Sequence, residues 1–381
     1  MSDKKIITII GPSSRFLSGI SYYTTYLANS LSEKYCVQAV LFRKMLPKGL
    51  FPGAARVGKD LSTITYRKSV NMQECLDWYN PITWYQAYRT ASKSKVCIFE
   101  WWTSSVAHMY LVIGLLLRLK GVPIILEFHE VVDTLEEAIL PLRIYSKVMG
   151  RLIRRLANRY VTHSVSDQNL VAERYQIPIE KISVIPHGLY DQYPVIEPDA
   201  AKKHLGITAS NVILFFGLLR PYKGAKNLIH AFEQLPQSLK NTTVLLIAGE
   251  TWEDRETLMT AEISQDHDKI LLFSKYISDE EVPYFFSAAN LLALPYTRAS
   301  QSGVAHIGIS YGMPIVASQV GGLAESLGQY EGTYFVIPEN VAELSHMLET
   351  VLTEEHKKYP LPESMRWEHI ATTWKILIDQ V

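Results

Sequence analysis

The sequence predicts an α/β protein made of two doubly wound, Rossmann-like domains in tandem. Three observations lead there. Continuous apolar runs such as Ile6–Ile10 and Val212–Phe216 alternate with helix-period stretches, as expected of parallel strands buried on both faces. The alternation breaks off after Pro186 in a polar, turn-rich segment and then restarts. The 381 residues are enough for two cores at a prior of about 150 residues per domain.

Taken in order, Ile6–Ile10 is the first strand, broken by Gly11-Pro12. Gly19–Ser32 follows as a helix, with Ile20, Tyr23, Leu27 and Leu31 on one face. Val37–Phe42, Val96–Phe99, Ile124–Phe128, Val161–Ser164 and Ile182–Ile185 are further strands, with a helix over Ser105–Lys120. "HGLYDQYPVIEPDAAKKHLGIT" reads as a linker. The second series runs Val212–Phe216, a helix at Ala225–Leu235, Thr243–Ala248, a helix from Glu253, Ile270–Phe273, a helix at Glu280–Ala289, Leu291–Leu294 and Ile315–Ala317. A final helix, Ser364–Ile378, has Trp367 and Trp374 to anchor it on the first domain. The expected divisions are 1–194, 195–362 and the terminal helix 363–381.

With 48% hydrophobic and 20% charged residues the composition is globular. Lys plus Arg and Asp plus Glu are both 38, so no global charge favours nucleic acid. Cys36, Cys75 and Cys97 form no CxxC pair, which argues against a disulfide framework or a zinc site and fits a reducing compartment. The apolar part of MSDKKIITII is too short for a signal peptide, and Met109–Leu117 falls short of the roughly 18 residues of a spanning helix. A cytoplasmic, soluble protein is expected. Residues 143–159 carry Arg143, Lys147, Arg151, Arg154, Arg155 and Arg159 without an acid. They read either as a solvated helix face or as a peripheral contact for an anionic membrane surface or acidic acceptor.

Two loops have the make-up of anion sites. "GPSSRFLSGISYY" joins the first strand to the first helix, and Gly19 lets backbone approach a ligand at the helix N-terminus. It is neither GxGxxG nor a Walker A sequence, so as a lone motif it is weak, and a purely structural turn is the other reading. "FFGLLRPYKGAKNLI" is its counterpart in the second domain, where Gly217 and Gly224 bracket Arg220 and Lys223. Two cations ahead of a helix suit a diphosphate, each charge-assisted hydrogen bond being worth roughly 1.5–3 kcal/mol. A third loop, "PYTRASQSGVAHIGISYGMPIVAS", lies between a strand and a helix and has no Asp or Glu at all.

In this order, "FFGLLRPYKGAKNLIHAF", "VIPHGLYDQY", "AGETWED", "YISDEEVPYFFSAANLLALPY" and "GMPIVASQVGGLAE", preceded by "SGISYYTTYLANSL" and "LEFHEVVDT", resemble the segments of retaining glycosyltransferases of family 4. The resemblance covers nearly the whole chain. It implies the GT-B fold, two Rossmann-like domains facing across a cleft, with the acceptor on the N-terminal side and a nucleotide-sugar donor on the C-terminal side. By resemblance Arg220 and Lys223 grip the donor diphosphate, although Leu218 stands where the commoner pattern has Arg. His129 resembles the histidine lying against the donor sugar, and Gly19 the loop glycine at the donor. Tyr276 and Ile277 fall where the family frames the nucleotide base, with core packing as the other reading. The family's two loop glutamates correspond to Ala299 and Ile307, so both carboxylates are missing. Ser302 and Gly303 would offer N–H groups to the diphosphate, and Ser300, Gln301 and His306 neutral hydrogen bonds to hydroxyls.

The implied reaction is hexosyl transfer with retention to a carbohydrate, lipid-linked or small-molecule acceptor, for glycan, glycolipid or small-molecule glycoside synthesis. No cofactor or metal is expected. The DHD triplet 266–268 precedes a strand and reads as a polar loop. Trp101, Trp102 and Glu130 are acceptor-side candidates, the tryptophans serving equally as core. An inverting reaction would need a base, for which Glu130 or Asp133 would serve. Two alternatives remain, a nucleotide-sugar epimerase of the same architecture and a non-catalytic partner subunit.

Overall fold

The computed structural model describes residues 4–45, 57–59, 61–131, 140–355 and 357–381. Two compact units emerge. One comprises Met1–Asp60, Ile64–Gly188 and Ser364–Val381, the other Leu61–Thr63 and Leu189–Glu363.

The first unit is built on seven parallel strands: β1 (Ile6–Pro12), β2 (Cys36–Lys44), β3 (Asn71–Asp77), β4 (Val96–Trp101), β5 (Ile124–Phe128), β6 (Arg159–Thr162) and β7 (Ile182–Val184). Their order is β3-β2-β1-β4-β5-β6-β7. The helices Pro81–Ala91, Ala107–Leu119 and Leu140–Arg154 bury one face of this sheet around Phe99, Tyr110 and Phe128. On the other face, Gly19–Leu31 and the terminal helix Trp367–Asp379 enclose Tyr23, Leu27, Ile370 and Trp374. Trp374 is completely buried, and Trp367 stacks on Tyr26 with ring centroids 5.1 Å apart.

Six parallel strands make the second unit: β8 (Asn211–Phe216), β9 (Thr243–Ala248), β10 (Ile270–Phe273), β11 (Leu291–Leu294), β12 (Ile315–Ser318) and β13 (Thr333–Val336), ordered β10-β9-β8-β11-β12-β13. β3 and β13 had no counterpart in the sequence reading. Both are sheet edges, paired on one side only, and their residues are largely half-exposed, so neither shows a continuous apolar run. The expected linker also contains a helix, Pro198–Leu205, started by Pro198 and a Glu197 cap and closed by Gly206 in the left-handed region. Leu61–Thr63 joins this unit through Asp279, whose Oδ2 accepts from the Thr63 N–H at 2.8 Å.

In each sheet the order reverses beside the first strand, between β1 and β4 and between β8 and β11. Loops leaving the carboxyl ends of those strands flank the crevice where open α/β sheets bind ligands.

Candidate functional site

In the second unit, that crevice is lined by the two loops containing Arg220 and Ser302. After β8 the chain turns at Gly217, whose φ is +102°, and the Leu219 N–H donates to the Glu250 carbonyl at 2.9 Å. Pro221–Lys223 makes one 3-10 turn, and Gly224 at φ +68° feeds the helix Ala225–Glu233. Gly217 leaves room for a cation: a Cβ there would meet Lys223 Nζ at 3.3 Å and Val304 Cγ2 at 3.1 Å.

Lys223 Nζ lies 5.5 Å from the Tyr296 ring centroid, and the Arg220 guanidinium lies 4.8 Å from that of Trp252. Arg298 adds a third cation, 5.3 Å from the centroid of Tyr222. Among the described residues, neither Arg220 nor Lys223 is in an ion pair with a carboxylate. Lys223 is half-buried along its length, yet desolvation of its ammonium, with Arg220 adding to it, pulls its pKa down to about 7. Such a pair is poised to gain from a bound anion.

The opposing loop is pinned against this one by backbone. A Cβ on Gly224 would lie 2.0 Å from the Pro295 carbonyl oxygen, and the Thr297 N–H donates to the Tyr222 carbonyl at 2.8 Å. At its far end the Ala299 carbonyl accepts from Gly322 at 3.1 Å. Ser302 caps the helix Gly303–Ser310, its hydroxyl accepting from Ala305 at 3.3 Å. That leaves the earlier N–H groups of the first turn without intrahelical partners, beside Val304 and hence beside Gly217.

The remaining donor-side candidates fall in different places. Ser300 and Gln301 are half-buried in the loop. His306 has no exposed surface, and its Nε2 is 3.3 Å from the Ser326 hydroxyl, so it sits in the helix core. Tyr276 is half-buried, while Ile277 is buried. Of the two positions where the resemblance expects glutamate, Ala299 is half-buried and Ile307 is buried in the helix. The DHD loop is tied down, Asp266 accepting from Lys240 at 2.7 Å and Lys269 at 3.1 Å.

In the first unit Gly19 is exposed at the start of its helix, which Ser18 and Ser21 cap reciprocally, and nothing lies within 4 Å of where its Cβ would be. His129 follows β5, and its N–H donates to the Trp101 carbonyl at 2.8 Å. Trp101 is buried in the core, and Trp102 is half-buried with its ring edge-on to Phe42 at 5.6 Å. Glu130 is exposed, and Asp133 lies outside the described residues.

His129 belongs to a buried cluster absent from the sequence reading. Glu100 of β4 and Glu127 of β5 stand side by side in register and are completely buried. Tyr23 donates to Glu127 at 2.6 Å, and Thr24 to Glu100 at 2.6 Å. Burial, then the neighbouring Glu127, drives the Glu100 carboxyl well above the usual carboxylate range, and burial raises Glu127 to about 8. Burial, with His163 adding to it, holds His129 well below the usual histidine range, and burial brings His163 down to about 4. The signal was present in the sequence as one acid inside each of two otherwise apolar strands, VCIFEW and IILEF.

Residues 197–371 match the family model described as glycosyl transferases group 1. Curated relatives include a D-inositol 3-phosphate glycosyltransferase of Corynebacterium efficiens, 28% identical over 49% of this chain and 46% of its own length. Another is the lipopolysaccharide glucosyltransferase WaaG of Escherichia coli K12, 26% identical over 53% of this chain and 54% of its own. The chain thus spans about half the length of these relatives. Among solved structures, sucrose-phosphate synthase of Thermosynechococcus elongatus aligns over 99% of both chains with a TM-score of 0.72 at 18% identity. Anabaena HepE, solved with UDP and glucose, aligns over 99% of this chain and 97% of its own, with a TM-score of 0.68 at 17% identity. The fold shared with them is two parallel-sheet Rossmann-like domains of the GT-B type.

Proposed function

We propose that the chain is a glycosyltransferase that moves a hexose from a nucleoside diphosphate sugar to an acceptor hydroxyl with retention. The observation carrying this reading is the pair Arg220 and Lys223, two cations with no acidic partner among the described residues, at the switch point of the second sheet. Breaking the sugar–phosphate bond puts negative charge on the departing diphosphate while the ring becomes oxocarbenium-like. Arg220, Lys223 and the first-turn N–H groups behind Ser302 are positioned for that growing charge, and one such donor is typically worth about 10²–10³ in rate. With retention, the acceptor hydroxyl attacks on the leaving-group side and passes its proton to the diphosphate, so no side-chain base is required. The diphosphate charge is met by fixed side chains, so the reading needs no metal at that point.

Incubation with a panel of nucleotide sugars and acceptors tests it. Free nucleoside diphosphate should appear only when acceptor is present, with the anomeric configuration kept in the product. An altered sugar on intact donor would instead establish the epimerase reading, and binding without turnover the partner subunit.

The acceptor side of the reading includes a lipid surface. The helices Pro81–Ala91, Ala107–Leu119 and Leu140–Arg154 contain no acidic residue and pack side by side on one face of the first sheet. Their outer side exposes Ile82, Leu119, Ile144 and Val148, the last two on one stripe among Arg143, Lys147 and Arg151. No helix among the described residues is long and apolar enough to cross a membrane. Apolar wedges among cations fit the surface of an anionic bilayer. The chain is expected to float with vesicles containing phosphatidylglycerol and not with phosphatidylcholine alone. Replacing Arg143, Lys147 and Arg151 together by alanine removes about 1 kcal/mol each, roughly two orders of magnitude in partitioning. Equal flotation with both vesicle types would discard this surface.

A further inference from the structure

The buried cluster around Glu127 presents three polar atoms that converge with no hydrogen-bond partner. Glu100 Oε1, Glu127 Oε2 and His129 Nε2 have no hydrogen-bond partner among the described residues. Each of the three residues brings one potential ligand atom within 4.8 Å of those of the other two. Each ligand atom is aimed from behind. The second oxygen of Glu100 is held by Thr24, and that of Glu127 by Tyr23.

The histidine is fixed by a chain of tautomers. The Ile185 carbonyl can only accept, so His163 Nδ1, 2.9 Å away, carries a hydrogen. With Nδ1 donating, His163 Nε2 is assigned as the acceptor for His129 Nδ1, 3.2 Å away. His129 Nε2 is left as a bare lone pair 3.8 Å from Glu127 Oε2.

That gap speaks against a proton shared between these two atoms. A hydrogen bond between nitrogen and oxygen spans roughly 2.7–3.2 Å, so a proton shared between these atoms would leave the span too wide. Two ligands of one metal ion, each at about 2.0–2.2 Å, are held roughly 3–4 Å apart, which matches. We propose that Glu100, Glu127 and His129 form a site for one divalent first-row transition-metal ion, bound through Glu100 Oε1, Glu127 Oε2 and His129 Nε2. Two carboxylates neutralise the ion in a dry interior, and the outer hydrogen bonds from Tyr23, Thr24 and His163 are the kind that orient metal ligands. The nitrogen ligand favours manganese, iron, cobalt or zinc over calcium or magnesium. His163 is not a ligand in this arrangement, since both of its ring nitrogens are engaged. The site goes beyond the transfer reading and does not depend on it.

The test uses the full chain, stripped with chelator and titrated with cobalt(II) while visible absorption is followed. One equivalent should bind with the intense bands of a nitrogen- and oxygen-ligated ion of low coordination number. Glu100→Gln and Glu127→Gln should each weaken binding at least tenfold, with far-UV circular dichroism unchanged. Cobalt bound equally well by both variants would overturn the proposal, because the ion would sit elsewhere. So would the absence of binding together with a pH signature of a shared proton. A carboxyl raised to about 8 from 4.5 adds stability that is complete below about pH 4.5 and lost as pH rises through about 8. Melting temperatures falling steadily across that window, unaffected by cobalt, would assign the cluster to Glu127 protonation.

Discussion

Lys223→Ala should lower kcat/KM for sugar transfer by at least about 10²–10³ while the chain keeps its fold, as judged by circular dichroism and melting temperature. The ammonium is placed by elements that do not depend on it: the 3-10 turn Pro221–Lys223, the room left by Gly217 and the ring of Tyr296. Lys223→Met should behave alike, since a hydrocarbon of similar length keeps the packing without the charge. Near-normal transfer in both variants would remove the diphosphate assignment.

The same lysine predicts two pH slopes of opposite sign. With its pKa at about 7 in the folded chain against 10.5 for a free lysine, it binds fewer protons folded than unfolded between those values. Its contribution to stability is therefore complete above about pH 10.5 and lost as pH falls through about 7. A nucleoside diphosphate draws the proton back on, so its affinity should weaken as pH rises above about 7, with proton uptake measurable by calorimetry in buffers of different ionisation enthalpy. In Lys223→Met both slopes should flatten together. A flattened stability slope with an unchanged ligand slope would mean that the diphosphate lies against another cation, for which Arg298 on the opposing loop is a candidate.

How far the sequence was legible depended on what each element buries. Largely apolar runs such as β9, β10 and β11 were readable to the residue, β10 even though it is a sheet edge. β3 and β13 were not, because polar residues interrupt β3 (NMQECLD) and open β13 (TYFV), so neither reads as a continuous apolar run. The helix Pro198–Leu205 was hidden by its polar composition, although its signals, Pro198 at the start and Gly206 at the end, were in plain view. At the site, the cationic loop could be read because charge at a strand–helix junction has few structural uses. His306 could not be distinguished from a ligand, since only the packing of its helix reveals that it faces Ser326. Glu100 and Glu127 were legible in principle. An acid within an apolar strand must be paired, protonated or bound to a cation, but only the register of β4 on β5 makes the two neighbours.

The loop without carboxylates, residues 295–302, has its role fixed by backbone rather than side chains, and Gly224→Ala should expose that. Two penalties act there: a left-handed φ of +68°, and a Cβ driven to 2.0 Å from the Pro295 carbonyl oxygen, which the strand end behind it prevents from moving away. Left-handed backbone costs a non-glycine residue roughly 1–2 kcal/mol. Overpacking against fixed neighbours adds about 1–3 kcal/mol. Gly206 separates the two effects. It has nearly the same backbone, φ +71°, at the end of the helix Pro198–Leu205, but nothing lies within 4 Å of where a Cβ would be. Gly206→Ala should therefore cost only the conformational part, lowering the melting temperature of the unit by about 2–8 °C. Gly224→Ala should lower it by about 4–20 °C. It should also weaken nucleoside diphosphate binding more than tenfold, because the loops carrying Lys223 and Ser302 are forced apart, whereas Gly206→Ala leaves binding unchanged. If the two variants proved equally mild, the close approach of Gly224 to Pro295 would be wrong. The absence of glutamate at Ala299 and Ile307 would then have to be compensated by groups other than the cations of the facing loop.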